Sequence, residues 1–239
     1  MAQCLSEIRA VERNYTYEPI EVTFFLTSPV LMTYPWVLLD GYVAYETGAD
    51  LLGERWAEFQ GRSNSPIWDA LPVPLSREWD STRTRSFYKA SVGRFNHPNA
   101  MTSRKYQKMF CSEGVPQNAS KKEKYMVVGG QFKLRSIQYP GNSSTEVTFW
   151  CLGDYPTLLK YCNQISALGT RTASGNGGIK DCVLTRTSED YSLEHPEFGL
   201  NRPIPTWHSL RSETNAMLAF KPPYWAKENI CSCYVPGGF

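Results

Sequence analysis

The densest cluster of residues that could do chemistry is a glycine-rich stretch, residues 169–180, with the sequence GTRTASGNGGIK. Glycine permits a positive φ and a close approach of the backbone, so the N–H groups of such a stretch can face phosphate oxygens. Arginine, lysine and hydroxyl side chains add charge and hydrogen bonds. We therefore predict a phosphate-binding loop formed by Gly169, Arg171, Ser174, Gly175, Asn176, Gly177, Gly178 and Lys180.

This stretch fits neither of two common nucleotide-binding patterns. It lacks the G-x4-G-K-[ST] order of a P-loop. Its glycines follow a predicted helix and precede a predicted strand, which is the reverse of the Rossmann order. A flexible helix-to-strand turn would also explain the glycines without any ligand, and this alternative stays open.

Positive charge is concentrated in the middle of the chain, although the total net charge is only +2. Residues 83–135 hold 12 basic and 2 acidic side chains, whereas residues 1–82 hold 5 basic and 12 acidic ones. Clustered cations favour a polyanion, because neutralising phosphates releases condensed counterions. The predicted RNA contacts here are Arg83, Arg85, Lys89, Arg94, Arg104, Lys105, Lys108, Lys121, Lys122 and Lys124.

Aromatic residues are interleaved with these cations, among them Phe87, Tyr88, Phe95, Tyr106 and Phe110. Single-stranded RNA is commonly held by cations on its phosphates and by aromatic rings under its unstacked bases. The segment therefore predicts a single-stranded RNA surface. The competing interpretation is a solvated basic loop above aromatic residues that belong to the core.

Catalytic and metal-binding patterns are sparse. His97 adjoins the predicted basic strand and could act as general acid or base in metal-free RNA cleavage, with Tyr88 or Lys89 assisting. A single histidine more often has a structural or solvent-facing role, so we assign no catalytic residue. Cys231 and Cys233 have no nearby second pair, and we predict neither a metal nor a cofactor.

The order of predicted elements is strand–helix–strand twice, which is that of an α+β, ferredoxin-like (RRM-like) domain. Residues 97–124 are polar and poorly periodic, and we expect an exposed basic loop or an irregular helical excursion there. The predicted elements are strand 20–26, helix 38–59, strand 86–95, strand 125–137, turn 140–142, strand 146–152, helix 156–168 and strand 179–186.

The predicted organisation is one domain with two extensions. Residues 19–190 form the domain, residues 1–18 precede it, and an irregular tail over 191–239 packs on it, with an amphipathic piece near 208–220. The uncharged run 22–39 contains two prolines and several hydroxyl residues, so we predict strand–loop–strand and no membrane span. Seven cysteines without framework spacing, and no apolar leader, predict a cytoplasmic protein.

Two segments resemble the CRISPR-associated RAMP superfamily. The first, PIEVTFFLTSPVLMTYPWVLLDGYVAYETG, combines an apolar strand, a Ser-Pro turn and a helix start around Leu38, Leu39 and Asp40. The second, ISALGTRTASGNGGIK, is similar to the superfamily's glycine-rich loop before a strand. One basic residue, Arg171, stands where the superfamily usually has a pair.

Within the superfamily the resemblance is to the subunit that caps the guide RNA in a small type IV, Cascade-like effector. It includes the strand SFYKASVGRF and the tail motifs RPIP and PPYW. It implies a non-catalytic protein that holds the 5′ handle of the crRNA. The implied neighbours are the RAMP backbone subunits, a large subunit, and target DNA near the PAM, in defence against viruses and plasmids.

Two alternatives remain. One is the crRNA-processing endoribonuclease of the same superfamily, although its glycine loop usually lies near the C-terminus rather than about 60 residues before it. The other is a general RNA-binding protein that is unrelated to CRISPR.

Overall fold

The computed structural model describes residues 2–11, 14–62, 66–108 and 135–237. Its elements are α1 Ala2–Ala10, β1 Tyr17–Leu26, β2 Val30–Leu31, α2 Leu39–Leu52, α3 Ile67–Ala70, β3 Arg77–Trp79, β4 Ser86–Tyr88, β5 Arg94–Phe95, β6 Met101–Lys108, β7 Arg135–Asn142, β8 Glu146–Asp154, α4 Tyr155–Cys162, β9 Ile179–Arg186, β10 Glu194–His195, β11 Gly199–Leu200, β12 Ile204–Pro205, β13 Asn215–Ala219 and β14 Ile230–Tyr234. Mixed helices and mostly antiparallel strands confirm the predicted α+β class.

A four-stranded antiparallel sheet in the order β5-β8-β1-β9 forms the centre of the fold. Alternate residues of β1, from Ile20 to Leu26, are buried, as expected of a strand with one face on the core. The buried cluster joins Phe24 of β1 to Val43 of α2 and Leu158 of α4, so both helices pack on this face. The predicted strand 179–186 has the bounds of β9, and the predicted strand 20–26 lies within β1.

Both predicted helices are shorter than their periodicity suggested. α2 ends at Leu52, and a 3₁₀ segment, Gly53–Glu58, covers most of the remaining predicted length. Gly53 has a φ of +55°, a positive value that glycine adopts readily and that does not continue an α-helix. α4 is capped by Asp154, whose carboxylate accepts from the Thr157 N–H at 3.2 Å, and it ends at Cys162 rather than at residue 168.

The predicted strand 86–95 is two short strands that pair with different partners. β4 pairs with β3, while β5 pairs with β8 at the edge of the central sheet. Between these two strands, Ala90 forms an isolated β-bridge with Cys151, and Val92 forms one with Leu38. The chain therefore crosses from one sheet to the other within a sequence whose pattern predicts a continuous strand.

The expectation of a loop or irregular helix from residue 97 was wrong over β6. Its eight residues pair with β7 in unbroken register, from Met101 opposite Asn142 to Lys108 opposite Arg135. The predicted turn 140–142 lies inside β7, which pairs with β6 and β2, while β8 pairs with β1 and β5. Cross-strand pairing stabilises a polar sequence that has no buried face of its own. Most of the predicted strand 125–137 lies outside the described residues.

The tail is more regular than predicted. A second sheet in the order β12-β14-β13 replaces the amphipathic piece expected near 208–220. Its buried side chains, including Ile204, Phe220 and Cys233, form a second cluster with Phe87 of β4. Within the described ranges, no helix has the length and apolar character needed to cross a membrane.

A buried ion pair ties this tail to α2. The Arg202 guanidinium lies 3.4 Å from the Asp40 carboxylate, and both side chains are fully buried. Arg202 also donates to the carbonyl oxygen of Phe220 at 2.7 Å, and the Tyr224 hydroxyl donates to Asp40 at 2.6 Å. Burial raises the pKa of Asp40, and the Arg202 charge opposes that shift. The helix-start carboxylate of the sequence motif is therefore a structural anchor.

Candidate nucleic-acid interface

Two chain segments that are distant in sequence meet at one surface. The first is the glycine loop, residues 169–178, between α4 and β9. The second is the two-stranded arm formed by β6 and β7. β2 lies between them, since β7 pairs with Leu31 and the loop bridges to the same residue at Thr170. The fold therefore brings the two basic elements predicted from the sequence to one place.

The two ends of the glycine loop are fixed by backbone packing. Gly177 has a φ of +65°, and a Cβ on it would lie 1.8 Å from the Leu168 carbonyl oxygen. Gly169 has a φ of +85°, and a Cβ on it would lie 2.2 Å from the carbonyl oxygen of Leu31. At both positions only glycine fits, and the reason is the close approach of another backbone rather than of a ligand.

The N–H groups of the four loop glycines all donate within the protein. Gly169 donates to the Tyr42 hydroxyl at 2.6 Å, and Gly178 donates to the Ser28 hydroxyl at 2.9 Å. Gly175 donates to the carbonyl oxygen of Thr172, and Gly177 to that of Pro29. This corrects the expectation that these N–H groups face a phosphate, because each of them already donates to an acceptor within the protein. Side chains of the loop must provide any phosphate contact.

The tip of the loop presents such side chains. Residues 171–175 are exposed, including Arg171 and Ser174, and Lys180 is exposed just beyond the loop. Gly175, at the end of the tip, has a φ of +78° and no atom within 4 Å of a Cβ placed on it. The tip is therefore open to a ligand, whereas the two ends of the loop are closed by packing.

Two tyrosines of the arm hold the loop in position. Arg171 donates to the Tyr139 hydroxyl at 2.7 Å, and its guanidinium lies 5.0 Å from the Tyr139 ring and 5.4 Å from the Tyr106 ring. The buried Asn176 donates to the Tyr106 hydroxyl at 2.6 Å and to the Arg171 carbonyl oxygen at 2.9 Å. Cation–π contacts and hydrogen bonds together give an exposed arginine a defined orientation.

One face of the arm carries further cations. Arg104 lies opposite Tyr139 in the ladder, so the two residues share a face, and alternation along β7 places Arg135 on that face as well. Both arginines are exposed, and neither strand contains an acidic residue. Lys105 is also exposed but lies on the opposite face. Arg104, Arg135 and Arg171, with the rings of Tyr106 and Tyr139, are called the arginine face below.

Four of the predicted RNA contacts lie elsewhere. Arg83 is exposed in the turn between β3 and β4, and Arg85 pairs with Asp80 at 3.1 Å beside that turn. Lys89 pairs with Asp190 at 2.8 Å. Arg94 is buried, donates to Asn201 and to the Gly237 carbonyl oxygen, and lies 4.6 Å from the Phe198 ring. We therefore leave these four residues out of the arginine face.

One of the remaining predicted contacts is described, and the others are not. Lys108 is the last residue of β6 before the segment 109–134. Lys121, Lys122 and Lys124 lie outside the described residues, as does Phe110.

The three candidate catalytic residues occupy different environments. Tyr88 is buried and accepts from Arg77 at 2.7 Å, and burial raises its pKa to about 12. Lys89 is paired with Asp190, and His97 is exposed, with its carbonyl oxygen accepting from Asn142 and Ser144. A phenol with so high a pKa keeps its proton at neutral pH and does not serve as a base.

Metal ligands are not grouped in the part of the chain that the structure describes. No three His, Cys, Asp or Glu side chains there could hold one ion. The sulfur atoms of Cys231 and Cys233 lie 3.6 Å apart on β14. Their thiol contact lowers the pKa of Cys231 and raises that of Cys233.

Sequence reasoning missed Tyr139 and the position of Arg135. Nothing in the local pattern marked either residue, because β7 was expected to begin near residue 125 and to end before a turn at 140–142. The signal that could have found them is the period-two alternation of MTSRKYQK, which pairs residue by residue with RSIQYPGN.

A comparison with known protein families gives a match over most of the chain. The chain matches the family model described as CRISPR type IV associated protein Csf3 over residues 18–236, most of its 239 residues. The matched range contains the central sheet, the glycine loop, the arm and the sheet of the tail. No curated protein matches the chain.

Proposed function

This chain belongs to the Csf3 family of CRISPR type IV associated proteins, and from that premise we propose that it binds RNA. Its ligand is the 5′ handle of the crRNA, and it caps the backbone filament of a type IV effector complex in the cytoplasm. Its partners are the RAMP backbone subunits and the large subunit, and it sits near the PAM-proximal end of target DNA. The biological role is defence against viruses and plasmids.

The observation that carries this proposal is the arginine face. Arg171 and Arg104 lie with the rings of Tyr106 and Tyr139 where the glycine loop meets the arm, and the exposed Arg135 continues the same face along β7. Neither strand of the arm contains an acidic residue. Guanidinium groups bind phosphate bidentately, and tyrosine rings stack on bases of every kind. A flexible single strand is the polyanion that can use both kinds of contact on one narrow surface.

The topology supports a ferredoxin-like domain over residues 19–190, the arrangement that we propose. Read from one edge, the central sheet has the order β9-β1-β8-β5, with α2 between β1 and β5 and α4 between β8 and β9. A split βαβ domain places its first and third strands at the centre in this way. The arm is then an insertion between β5 and β8, and residues 1–18 and 191–239 are extensions.

We propose that the protein acts by binding and does not cleave RNA. Among the three catalytic candidates, Tyr88 keeps its proton at neutral pH and Lys89 is engaged with Asp190. The test incubates purified protein with repeat RNA, with and without divalent metal. We expect intact RNA. Specific cleavage that disappears in His97→Ala would favour the endoribonuclease instead.

The ligand is identified by co-expression with a type IV repeat array, purification and sequencing of the bound RNA. The proposal predicts one species with a constant 5′ handle. Wild-type protein that recovers only a random sample of cellular RNA would favour a general RNA-binding protein. Protein that carries no RNA and binds none in solution would contradict the proposal.

A further inference from the structure

An aromatic pocket opens directly beside the glycine loop. Its volume is about 530 Å³, within the range of small-molecule sites, and it has room for a nucleobase with its ribose. α2 forms one wall, the loop forms another through Gly169, Thr170 and Thr172, and the turn at Tyr224 and Trp225 closes a third side. The pocket is therefore continuous with the proposed phosphate surface.

Three large aromatic side chains at this pocket are exposed to solvent. Tyr34 is 40% exposed, Tyr45 is 43% exposed and Trp225 is 56% exposed. Trp225 packs edge-on against Trp68 at 5.8 Å, which is itself buried in the pocket lining. Exposed rings around a concavity are the usual platform for an unstacked base.

The lining also contains one carboxylate, that of Glu46 on α2. Glu46 is half-buried, and its carboxylate oxygens accept hydrogen bonds. The pocket thus offers one strong acceptor between aromatic walls.

We infer that this pocket takes one unstacked nucleobase of the single-stranded RNA whose phosphates lie on the glycine loop and the arginine face. The inference rests on the proposed function and deepens it, since it adds a base-specific position to a phosphate-binding surface. The Glu46 carboxylate favours a base with an exocyclic amino group, which donates to it, over uracil.

The first test compares Trp225→Ala with the matched control Trp79→Ala, a tryptophan of similar exposure, 45%, outside the pocket. Loss of one stacked base weakens binding of handle RNA by about tenfold in Trp225→Ala and leaves the salt dependence unchanged, because no phosphate contact is removed. Trp79→Ala keeps wild-type affinity. Equal affinities in the two variants would contradict the inference.

The second test is a scan with abasic RNA, and its main readout uses the unaltered protein and does not depend on the folding of a variant. Handle RNAs with a single abasic nucleotide are titrated position by position. One position should lose about tenfold in affinity, and Trp225→Ala should add nothing further at that position. A flat abasic profile would contradict the inference while leaving the phosphate surface intact.

Base preference provides the third readout. At the position found by the abasic scan, uracil should bind about tenfold more weakly than a base with an exocyclic amino group, and Glu46→Leu should remove that difference.

If Trp225→Ala instead binds RNA normally but fails to join a neighbouring subunit, the pocket holds a protein side chain and the inference is wrong. If wild-type protein binds no RNA, the proposed function itself fails.

Discussion

Arginines in two regions of this molecule have opposite environments. On the arginine face, Arg104, Arg135 and Arg171 are exposed. Around the tail, Arg94 and Arg202 are buried, and their guanidinium groups donate to backbone carbonyl oxygens. We propose that the first group binds the ligand, whereas the second holds the tail against the central domain.

The difference shows what charge counting along a sequence can and cannot find. Residues 83–135, whose net charge is +10, include both Arg104 and Arg94, which are ten residues apart. Burial and hydrogen-bond partners distinguish the two: Arg104 is exposed and accessible to a phosphate, whereas Arg94 is buried and bonded within the protein.

The largest expected effect is on stability, at the tail. Arg202→Met leaves Asp40 as an unpaired buried charge, so the free energy of unfolding should fall by about 3–5 kcal/mol. Urea denaturation followed by circular dichroism measures it. Asp40→Asn in the same chain should restore part of the loss, because no buried charge then remains.

The matched control is Arg211→Ala. Arg211 is exposed and lies 5.4 Å from the Tyr234 ring, and its removal should change stability by less than about 1 kcal/mol. An Arg202→Met protein as stable as this control would mean that the buried pair does not anchor the tail.

The next effect separates the fixed end of the glycine loop from its open tip. Gly177→Ala places a Cβ against the Leu168 carbonyl and should cost about 3 kcal/mol or more of stability. Gly175→Ala meets no atom and should cost only about 1–2 kcal/mol, for its positive φ. Thermal denaturation compares the two, and equal losses would show that close packing does not fix the loop.

Gly175→Ala also tests the tip as a ligand site. It should stay folded, with a near-normal circular dichroism spectrum, yet lose RNA affinity, because a methyl group then projects where the RNA approaches. Normal assembly of this variant on crRNA would contradict a role for the tip.

The three lysines of the basic segment that lie outside the described residues should contribute affinity without affecting stability. Replacing Lys121, Lys122 and Lys124 by alanine should weaken handle binding and lower the magnitude of the salt slope by about 2, because each phosphate contact on a single strand contributes about 0.7. Titrations at several salt concentrations measure the slope. An unchanged slope would mean that these lysines are only solvated surface.

The smallest expected effect comes from the tyrosine hydroxyls. Tyr139→Phe keeps the ring beside Arg171 but removes the acceptor of its hydrogen bond, and RNA affinity should fall only a few-fold. Tyr155→Phe, whose hydroxyl donates to the Leu184 carbonyl oxygen, is the control and should not change affinity. A larger loss in the control would mean that RNA binding responds to general stability.

Two strands of the central sheet, β1 and β9, were predictable from their local sequence, and β1 also buries alternate apolar residues. β1 and β9 follow from local β-branched and aromatic patterns, and α4 from its amphipathic spacing with Pro156 in the first turn. The arm was not predictable in the same way. β6 and β7 are polar, and their pairing joins residues up to 41 positions apart, from Met101 to Asn142.

The glycine loop was located from sequence, but its chemistry was only partly understood. The motif predicted a turn with positive φ, and Gly169, Gly175 and Gly177 adopt it. It could not indicate that the glycine N–H groups donate within the protein, since their acceptors on Tyr42, Ser28 and Pro29 lie more than 100 residues away. Long-range partners of this kind decide which atoms remain for a ligand.

The most direct test of the arginine face compares the salt dependence of handle binding in two double variants. One combines Arg104→Ala with Arg171→Ala, and the other combines Arg83→Ala with Arg85→Ala. Both double variants remove two cations that are exposed or half-exposed, but only the first pair lies on the face. We predict that the first variant loses at least tenfold in affinity and lowers the magnitude of the slope of log K against log salt by about 1.4, while the second matches wild type. Identical slopes for the two double variants would contradict the account, because the RNA would then respond to total charge and not to the surface where the glycine loop meets the arm.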